Sequence, residues 1–278
     1  MTKLWNRAVD VRIGTIMVND LRIVFDVYID NRPDPNTAQV QIYNLSEETR
    51  NSFEVRRDNI SIMAGYKELV GQIFLGSLAR INHVREGADI ITRIESGDGL
   101  DAMRRRANQS FAPGTSFKEI IGSASDALGL GGLMDAAKEF ITGDRTEAAK
   151  NGLTLSGNLW NEIKKLSSMT GYEPSIQGGQ LQLIPKGSVT SAPAVLLTPN
   201  TGMIGSPELG EEETEDGIRP ILKVNCLLNY ELLPGRQLRV ESMSHTGFFR
   251  CEKIRHRGDT HGQEWYSEIE ATFIRGGV

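Results

Sequence analysis

The chain has 278 residues, of which 39% are hydrophobic and 24% charged, and its formal net charge is −5 at pH 7. This length suits two or three domains, and the composition argues against general disorder. The mildly acidic balance gives no basic footprint for stable nucleic-acid binding, which normally needs clustered Lys and Arg. The first residues lack the apolar core of a signal peptide, and the longest apolar runs are too short to span a bilayer, so we expect no membrane insertion.

Residues 1–98 show the alternation of apolar and polar side chains that is typical of half-buried strands. Residues 38–42 form one such strand, and the pattern then breaks at Ser46, a good helix N-cap that is followed by Glu47 and Glu48. A loop is predicted before this strand, at residues 31–36, and a hairpin turn is predicted further along, at Gly87. The sequence therefore predicts a small tube-like β-barrel for this part, with a helical turn across one opening.

Residues 99–192 predict an α+β insert domain. Ser116 and Asn158 are expected to cap two helices, the second with Leu159, Ile163, Leu166 and Met169 on one side. A hairpin is expected around Gly178 and Gly179. Residues 129–152 are glycine-rich at first and then weakly helical, and we expect them to form a surface excursion.

Residues 193–217 contain Pro199, Pro207 and the acidic run 211–216, which predict an extended linker. Strand patterns resume over 218–278, the expected C-terminal β-barrel, completed in part by earlier segments. The fold class is thus mainly β with an α+β insert: two tube-type small β-barrels flank a helical and hairpin middle domain. Cys226 and Cys251, alone and without a secretion signal, predict buried reduced thiols.

The ends of the two β regions resemble each other. Each contains a glycine, an Ile-x-His segment, a glycine hairpin and a Thr/Ser-x-Ile-Glu segment; these segments are 81–83 and 92–95 in the first region and 254–256 and 267–270 in the second. Both stand at the end of a β region, so a duplicated unit that is split by an insert explains the pattern with one assumption.

The sequence contains no nucleophile elbow, no phosphate-binding glycine loop before a helix and no His-Glu-x-x-His motif. His245, Cys251, His256 and His261 could form a metal site, but their spacing fits no closed tetrahedral pattern, and strand or surface histidines explain them. Glu268 and Glu270 share a strand face at a spacing that could suit glycoside cleavage, and a solvated strand face explains them equally. We expect no catalytic, cofactor or metal site, and so no enzyme and no cofactor.

Two parts of the chain resemble the phage tail baseplate hub proteins. The segment 36–50, Asn-Thr-Ala-Gln-Val-Gln-Ile-Tyr-Asn-Leu-Ser-Glu-Glu-Thr-Arg, resembles their N-terminal barrel. Residues 222–272 resemble their C-terminal barrel, above all in 227–229, 234–235, 247–251 and 258–262 followed by Trp265 and 268–270. The resemblance covers about half of the chain, at both ends and in the same order.

The resemblance implies a homotrimeric hub without enzymatic activity, which adapts a six-fold tail tube protein to a three-fold central spike protein. It also implies contact with baseplate wedge proteins, a channel that passes DNA without specific binding, assembly in the host bacterial cytoplasm and a final place in the virion. The candidate subunit or tube interface consists of Tyr43, Asn44, Leu45, Val224, Leu227, Leu228 and Asn229. Two alternatives are a tail-associated peptidoglycan hydrolase and a host-surface carbohydrate-binding module, the latter weakened by an aromatic content of only 6%.

Overall fold

The computed structural model describes residues 6–55, 57–134, 151–214 and 217–274. The strands are β1 Arg7–Ile13, β2 Ile16–Val18, β3 Ile23–Asp30, β4 Thr37–Tyr43, β5 Asn59–Tyr66, β6 Leu69–Glu86, β7 Asp89–Gly97, β8 Arg106–Phe111, β9 Leu153–Asn158, β10 Tyr172–Gln177, β11 Gln180–Pro185, β12 Val195–Leu197, β13 Met203–Thr214, β14 Gly217–Leu227, β15 Gln237–Glu241, β16 Thr246–Asp259 and β17 Trp265–Phe273. The described helices are α1 Glu47–Ser52, α2 Phe117–Leu128 and α3 Leu159–Thr170.

Thirteen of these strands form one continuous sheet. Its main path runs β13-β14-β17-β16-β3-β4-β7-β6-β5-β1-β2, with β15 paired to β16 and β12 paired to β15. The insert adds two small ladders, β8–β9 and β10–β11. The predicted mainly β class with an α+β insert is confirmed.

The two β regions are not separate closed barrels. Strand β16 of the second region pairs with β3 of the first over residues 253–259, so the regions share one sheet. No strand pairing closes either region into a ring within the described part of the chain. The expectation of two closed barrels is corrected in this respect: the long strand β16 has hydrogen-bonding groups beyond those used by β15, and β3 satisfies them.

Local sequence signals placed most helix ends correctly. The Ser46 hydroxyl accepts a hydrogen bond from the Thr49 N–H, and Ser116 and Asn158 cap α2 and α3 in the same way. Gly171 ends α3 in the left-handed conformation. Met169 was predicted to share one side of α3 with Leu159, Ile163 and Leu166, but these three are buried and the Met169 side chain is 75% exposed.

Residues 193–217 are not an unpaired linker. They include β12 and the long strand β13, which pairs with β14 from Met203 opposite Cys226 to Thr214 opposite Gly217. Pro199 begins a short 3₁₀ segment, and Pro207 lies in a bulge between Ile204 and Glu208, where a missing N–H is tolerated. The acidic side chains misled the prediction because β13 lies at the edge of the sheet, where charged residues are compatible with strand structure.

Two apolar cores stabilise the molecule. One lies under the large sheet and includes both β regions, and the other lies within the insert between α2, α3 and the β10–β11 hairpin. The insert is fixed to the sheet by buried polar contacts: Asn36 Nδ2 donates to Ile176 O at 2.9 Å, and Trp160 Nε1 donates to Pro33 O at 2.9 Å. The predicted surface excursion lies largely outside the described residues. None of the described helices is long and apolar enough to cross a membrane.

Candidate assembly interface

A histidine pairs with a hydroxyl residue at the same place in both β regions. His83 Nδ1 lies 3.1 Å from Thr92 Oγ1 across β6 and β7, and His256 Nδ1 lies 2.8 Å from Ser267 Oγ across β16 and β17. The two histidines are those of the repeated Ile-x-His segments. The sequence repeat is therefore a structural repeat, and both histidines have a hydrogen-bonding role in a strand.

The agreement between the two hairpins extends to register and irregularity. The cross-strand pairs are Arg80–Glu95, Ile81–Ile94 and His83–Thr92 in the first hairpin, and Lys253–Glu270, Ile254–Ile269 and His256–Ser267 in the second. A bulge precedes each set, between Leu78 and Arg80 in β6 and between Cys251 and Lys253 in β16. An identical bulge position is a structural feature that chance similarity does not explain.

The repeat covers five strands in the same chain order. The next strand places Val40 opposite Ile94 in the first region and Val224 opposite Ile269 in the second, so β4 corresponds to β14. By the same reasoning β3 corresponds to β13, and β5 to β15. The units β3-β4-β5-β6-β7 and β13-β14-β15-β16-β17 are thus two copies of one motif, separated by the insert.

The two units are joined by an antiparallel ladder between β16 and β3. It runs from Lys253 opposite Asp30 to Asp259 opposite Val24. The Arg255 guanidinium donates two hydrogen bonds to the Asp26 carboxylate, from Nε to Oδ1 at 2.8 Å and from Nη2 to Oδ2 at 2.5 Å. This bidentate ion pair adds to the backbone hydrogen bonds of the junction. A second ion pair, from Arg22 to Asp259 at 2.7 Å, closes the far end of the junction.

The junction uses β16 of the second unit and β3 of the first. Their counterparts, β6 in the first unit and β13 in the second, have open edges. Residues 80–86 of β6, the counterpart of the junction segment of β16, pair only with β7 among the described residues. Strand β13, the counterpart of β3, pairs there only with β14. Within the described ranges, the first unit therefore has no neighbouring strand beside residues 80–86 of β6, and the second has none beside β13.

Side-chain burial differs between the units in the way that these open edges require. His256 and Ile254, at the junction, are fully buried, whereas His83 is exposed and Ile81 is half-buried. Val27 in β3 is fully buried, whereas its counterpart in β13, Leu209, is 58% exposed. The open strand edge beside Leu209 presents unpaired N–H and C=O groups, with which a strand of another chain can pair.

The face of the sheet opposite the core is polar, and its charges are paired. Lys253 Nζ lies 2.8 Å from Glu270 and 2.7 Å from Glu212, and Arg80 lies 3.5 Å from Glu95. Burial acts to raise the pKa of Glu212, but hydrogen bonds from Lys253 and from an arginine of β14 outweigh it and hold the pKa below its ordinary value. This face carries both signs of charge, and these cations have carboxylate neighbours.

The residues proposed for an interface from the sequence lie at the ends of β4 and β14. Leu45, Val224 and Leu228 are buried in the core of the sheet. The more accessible members are Tyr43, Asn44, Leu227 and Asn229. Tyr43 and Leu227 are equivalent positions in the two units, since they lie opposite Ile91 and Tyr266 respectively. Their assignment to an interface stays a prediction.

The carboxylates weighed for catalysis are engaged in ion pairs. Glu270 binds Lys253, and Glu268 lies 4.0 Å from Arg255. The geometry around this pair is that of a structural charge network.

The histidines and cysteines weighed for a metal site are dispersed. Cys251 and His256 are fully buried, and burial raises the pKa of the Cys251 thiol well above its ordinary value. Cys226 is also a buried free thiol, and burial raises its pKa to about 12. No group of three or more His, Cys, Asp or Glu side chains is placed to hold a metal ion in the described ranges.

Comparison with known families places these observations in context. The sequence matches the Baseplate hub gp41 family over residues 9–246. The chain belongs to the baseplate hub gp41 family. It is accordingly a structural component of the phage tail baseplate, located in the virion and assembled with other tail proteins. No curated protein matches it in sequence.

Solved structures of tail proteins share the fold of this hub family member at very low sequence identity. A tail protein from Neisseria meningitidis MC58 aligns with a TM-score of 0.64 at 10% identity, over 97% of each chain. The 43 kDa tail protein of prophage MuSo2 from Shewanella oneidensis aligns with a TM-score of 0.66 at 6% identity, over 96% of this chain and 97% of its own. An E. coli type VI secretion component, described as structurally similar to the T4 tail proteins gp27 and gp5, aligns with a TM-score of 0.58 at 10% identity, over 94% of this chain and 76% of its own.

Two features of the interface were missed by sequence reasoning. The first is β13, which was assigned to a linker although Leu209 interrupts its acidic residues at a strand position that faces the core side. The second is the β16–β3 junction, because pairing between strands more than 220 positions apart leaves no local pattern. Only the repeat itself gave a signal, since a duplicated unit needs a defined contact between its copies.

Proposed function

We propose that this protein is a homotrimeric baseplate hub, which adapts the six-fold tail tube to a three-fold central spike and lines the channel through which DNA leaves the particle. The internal duplication is the observation that carries the proposal. Two copies of a five-strand unit in one chain give six copies in a trimer, and six similar units can meet a six-fold partner on one side. Each chain has one insert, so a trimer presents three inserts, and these can meet a three-fold partner.

The polar face of the sheet is suited to line a DNA channel. Its basic side chains at Arg80, Lys253 and Arg255 each have a carboxylate neighbour, so few free cations remain to hold phosphates. The net charge of −5 acts in the same direction. DNA would therefore pass without specific binding.

The ends of β4 and β14 are the proposed contact with the tail tube protein. A six-fold partner must touch equivalent positions of both units, and Tyr43 and Leu227 satisfy this condition. Asn44 and Asn229 lie beside them as exposed or half-exposed polar groups. The central spike protein and the baseplate wedge proteins would bind other surfaces, and assembly would occur in the cytoplasm of the host bacterium.

We infer that the protein has no catalytic activity. The ion-paired state of Glu268 and Glu270 supports this inference against a peptidoglycan hydrolase. Incubation of the full chain with purified peptidoglycan should release no soluble fragments. Release that disappears in a Glu268→Gln, Glu270→Gln double variant would contradict the inference.

The oligomeric state tests the proposal directly. Light scattering after size exclusion, over a hundredfold range of concentration, should show a species of three times the 30.7 kDa chain mass at the upper end. Native mass spectrometry should give the same stoichiometry. A monomer throughout, together with a baseplate that contains one or six copies of the chain, would contradict it.

A further inference from the structure

The two open strand edges are complementary, and the internal junction shows how they fit. We propose that residues 208–212 of β13 in one copy of the chain pair antiparallel with residues 80–84 of β6 in a second copy, with Glu212 opposite Arg80 and Leu209 opposite His83. The proposal rests on the proposed function for the number of copies. The contact itself is argued from the duplicated units alone.

The register of the proposed β6–β13 pairing is obtained from the β16–β3 junction, when each junction residue is replaced by its counterpart in the other unit. In that junction Lys253 lies opposite Asp30, and His256 lies opposite Val27. Arg80 and His83 are the counterparts of Lys253 and His256 in β6. Leu209 in β13 is the counterpart of Val27 in β3, because they lie opposite the equivalent residues Leu222 and Ala38. Three residues further along each strand, Glu212 corresponds to Asp30. The same substitution places Gly210 opposite Asn82.

The contact would complete the burial that each edge lacks. Strand β3 covers His256 and Ile254 in the second unit, and β13 of another copy would cover His83 and Ile81 in the same way. Leu209, now 58% exposed, would occupy the position at which Val27 is fully buried. The unpaired N–H and C=O groups of both edges would be satisfied at the same time.

The charges of the two edges are of opposite sign. Strand β13 carries Glu208, Glu211, Glu212 and Glu213, and the open part of β6 carries Arg80 and Arg85 with one carboxylate, Glu86, at its end. Opposite charges across strands favour one pairing over others and suppress pairing of two β13 edges with each other. The edges are different surfaces, one in each of the two units, so the contact is head-to-tail, which can close into a ring.

Engineered disulfides test the register in the full chain. Directly opposed residues of an antiparallel pair have Cα atoms within the range that a disulfide can bridge. The test variant is Asn82→Cys with Gly210→Cys, and both positions lie on the polar face, away from the core. After mild oxidation, at least half of the protein should migrate as covalent dimers and trimers on non-reducing gels, and all of it as monomer after reduction.

Two controls use positions that the internal junction defines. Tyr28→Cys with Arg255→Cys is the equivalent pair within one chain and should form a disulfide without any gain in mass. His83→Cys with Gly210→Cys is displaced by one residue, so the two thiols would point to opposite faces and cross-linking should fall at least tenfold. Native Cys226 and Cys251 are buried and should not interfere.

The outcomes separate this contact from the proposed function. A trimer by mass that gives no cross-link in the test pair, or equal cross-linking in the displaced pair, would overturn the register and leave the hub proposal standing. A chain that stays monomeric in solution and in the particle would overturn both.

As a second measurement, Leu209→Asp should weaken self-association at least tenfold without a change in monomer melting temperature. Met243→Asp, at a fully exposed apolar side chain of the β15–β16 turn, should weaken it less than twofold.

Discussion

His256 and Ser267 lie opposite each other in β16 and β17, with 2.8 Å between Nδ1 of the imidazole and Oγ of the hydroxyl. Both side chains are fully buried, and the second ring nitrogen of His256 has no hydrogen-bond partner among the residues that the structure describes. Burial lowers the pKa of His256 to about 3. The imidazole is therefore neutral in the folded protein at all ordinary pH values.

Acid should destabilise the protein through this histidine. Below about pH 6.5 the unfolded chain binds a proton at this position and the folded chain does not, so stability falls by about 1.4 kcal/mol per pH unit down to the folded pKa. The urea midpoint of the wild type should drop between pH 7 and pH 5 by more than that of His256→Asn. His83→Asn, at the exposed equivalent position, serves as the control and should retain the pH dependence of the wild type. Equal pH dependence in the wild type and His256→Asn would contradict the assignment.

Asp98 should act in the opposite pH direction. It is buried at the contact between the sheet and the β10–β11 hairpin, where its carboxylate accepts a hydrogen bond from the Gly179 N–H at 3.1 Å. Burial raises the pKa of Asp98 to about 7. The stability that it contributes is present below about pH 4, where folded and unfolded chains are both protonated, and is lost as the pH rises to about 7.

The variant Asp98→Asn keeps an oxygen acceptor and removes the titration. It should be more stable than the wild type at pH 7.5, on the order of 2 kcal/mol, and similar to it at pH 4. Thermal melts at the two pH values provide the measurement, with Asp101→Asn, at an exposed carboxylate nearby, as the control. A stability difference that does not change with pH would show that folding does not raise the pKa of Asp98.

The buried Arg250 should be essential for the position of the insert. Its side chain is 5% exposed and lies 2.5 Å from Glu173 of β10 and 3.4 Å from Glu252 of β16. Arg250→Met would remove the cation that lies between these two carboxylates and leave Glu252 with Arg219, at 4.0 Å, as its only cation among the described residues, at a cost of about 3–5 kcal/mol. Arg239→Met, in an exposed ion pair with Glu241, should cost about 1 kcal/mol or less. Denaturant unfolding of both variants checks the difference, and equal values would contradict it.

Strand β14 should not tolerate proline at Val224. This residue is 1% exposed, lies opposite Ile269 and is the counterpart of Val40 in the first unit. Val224→Pro removes a ladder donor from an inner strand, so we expect insoluble or unfolded protein. Val224→Ala should remain folded with a loss of about 1–2 kcal/mol. Circular dichroism of the soluble fraction measures whether each variant is folded, and a folded proline variant would contradict the strand assignment.

Local features of the fold could be predicted from the sequence because their causes are local. The alternation around Val40 and the helix cap at Ser46 arise from neighbours within a few residues. The repeated Ile-x-His segments predicted the duplication, and the pairing of His83 with Thr92 and of His256 with Ser267 confirms it.

Features that depend on distant pairing could not be predicted in the same way. The ladder from Lys253 to Asp30 joins strands at opposite ends of the chain, so no pattern within a window of the sequence encodes it. Acidic residues around Leu209 indicated a solvated linker because an open strand edge and a linker expose the same side chains. Met169 fitted the helical spacing of apolar residues, yet it lies in the last turn of α3, where its side chain is exposed.

The central claim is that two copies of one unit in each chain allow three chains to present six-fold order. Electron cryo-microscopy of the assembled baseplate tests this claim most directly. We expect a ring of three chains in which six five-strand units, β3–β7 and β13–β17 in alternation, form one continuous inner wall below the tail tube. A ring of six chains, or a trimer in which only one of the two units reaches the wall, would contradict the account.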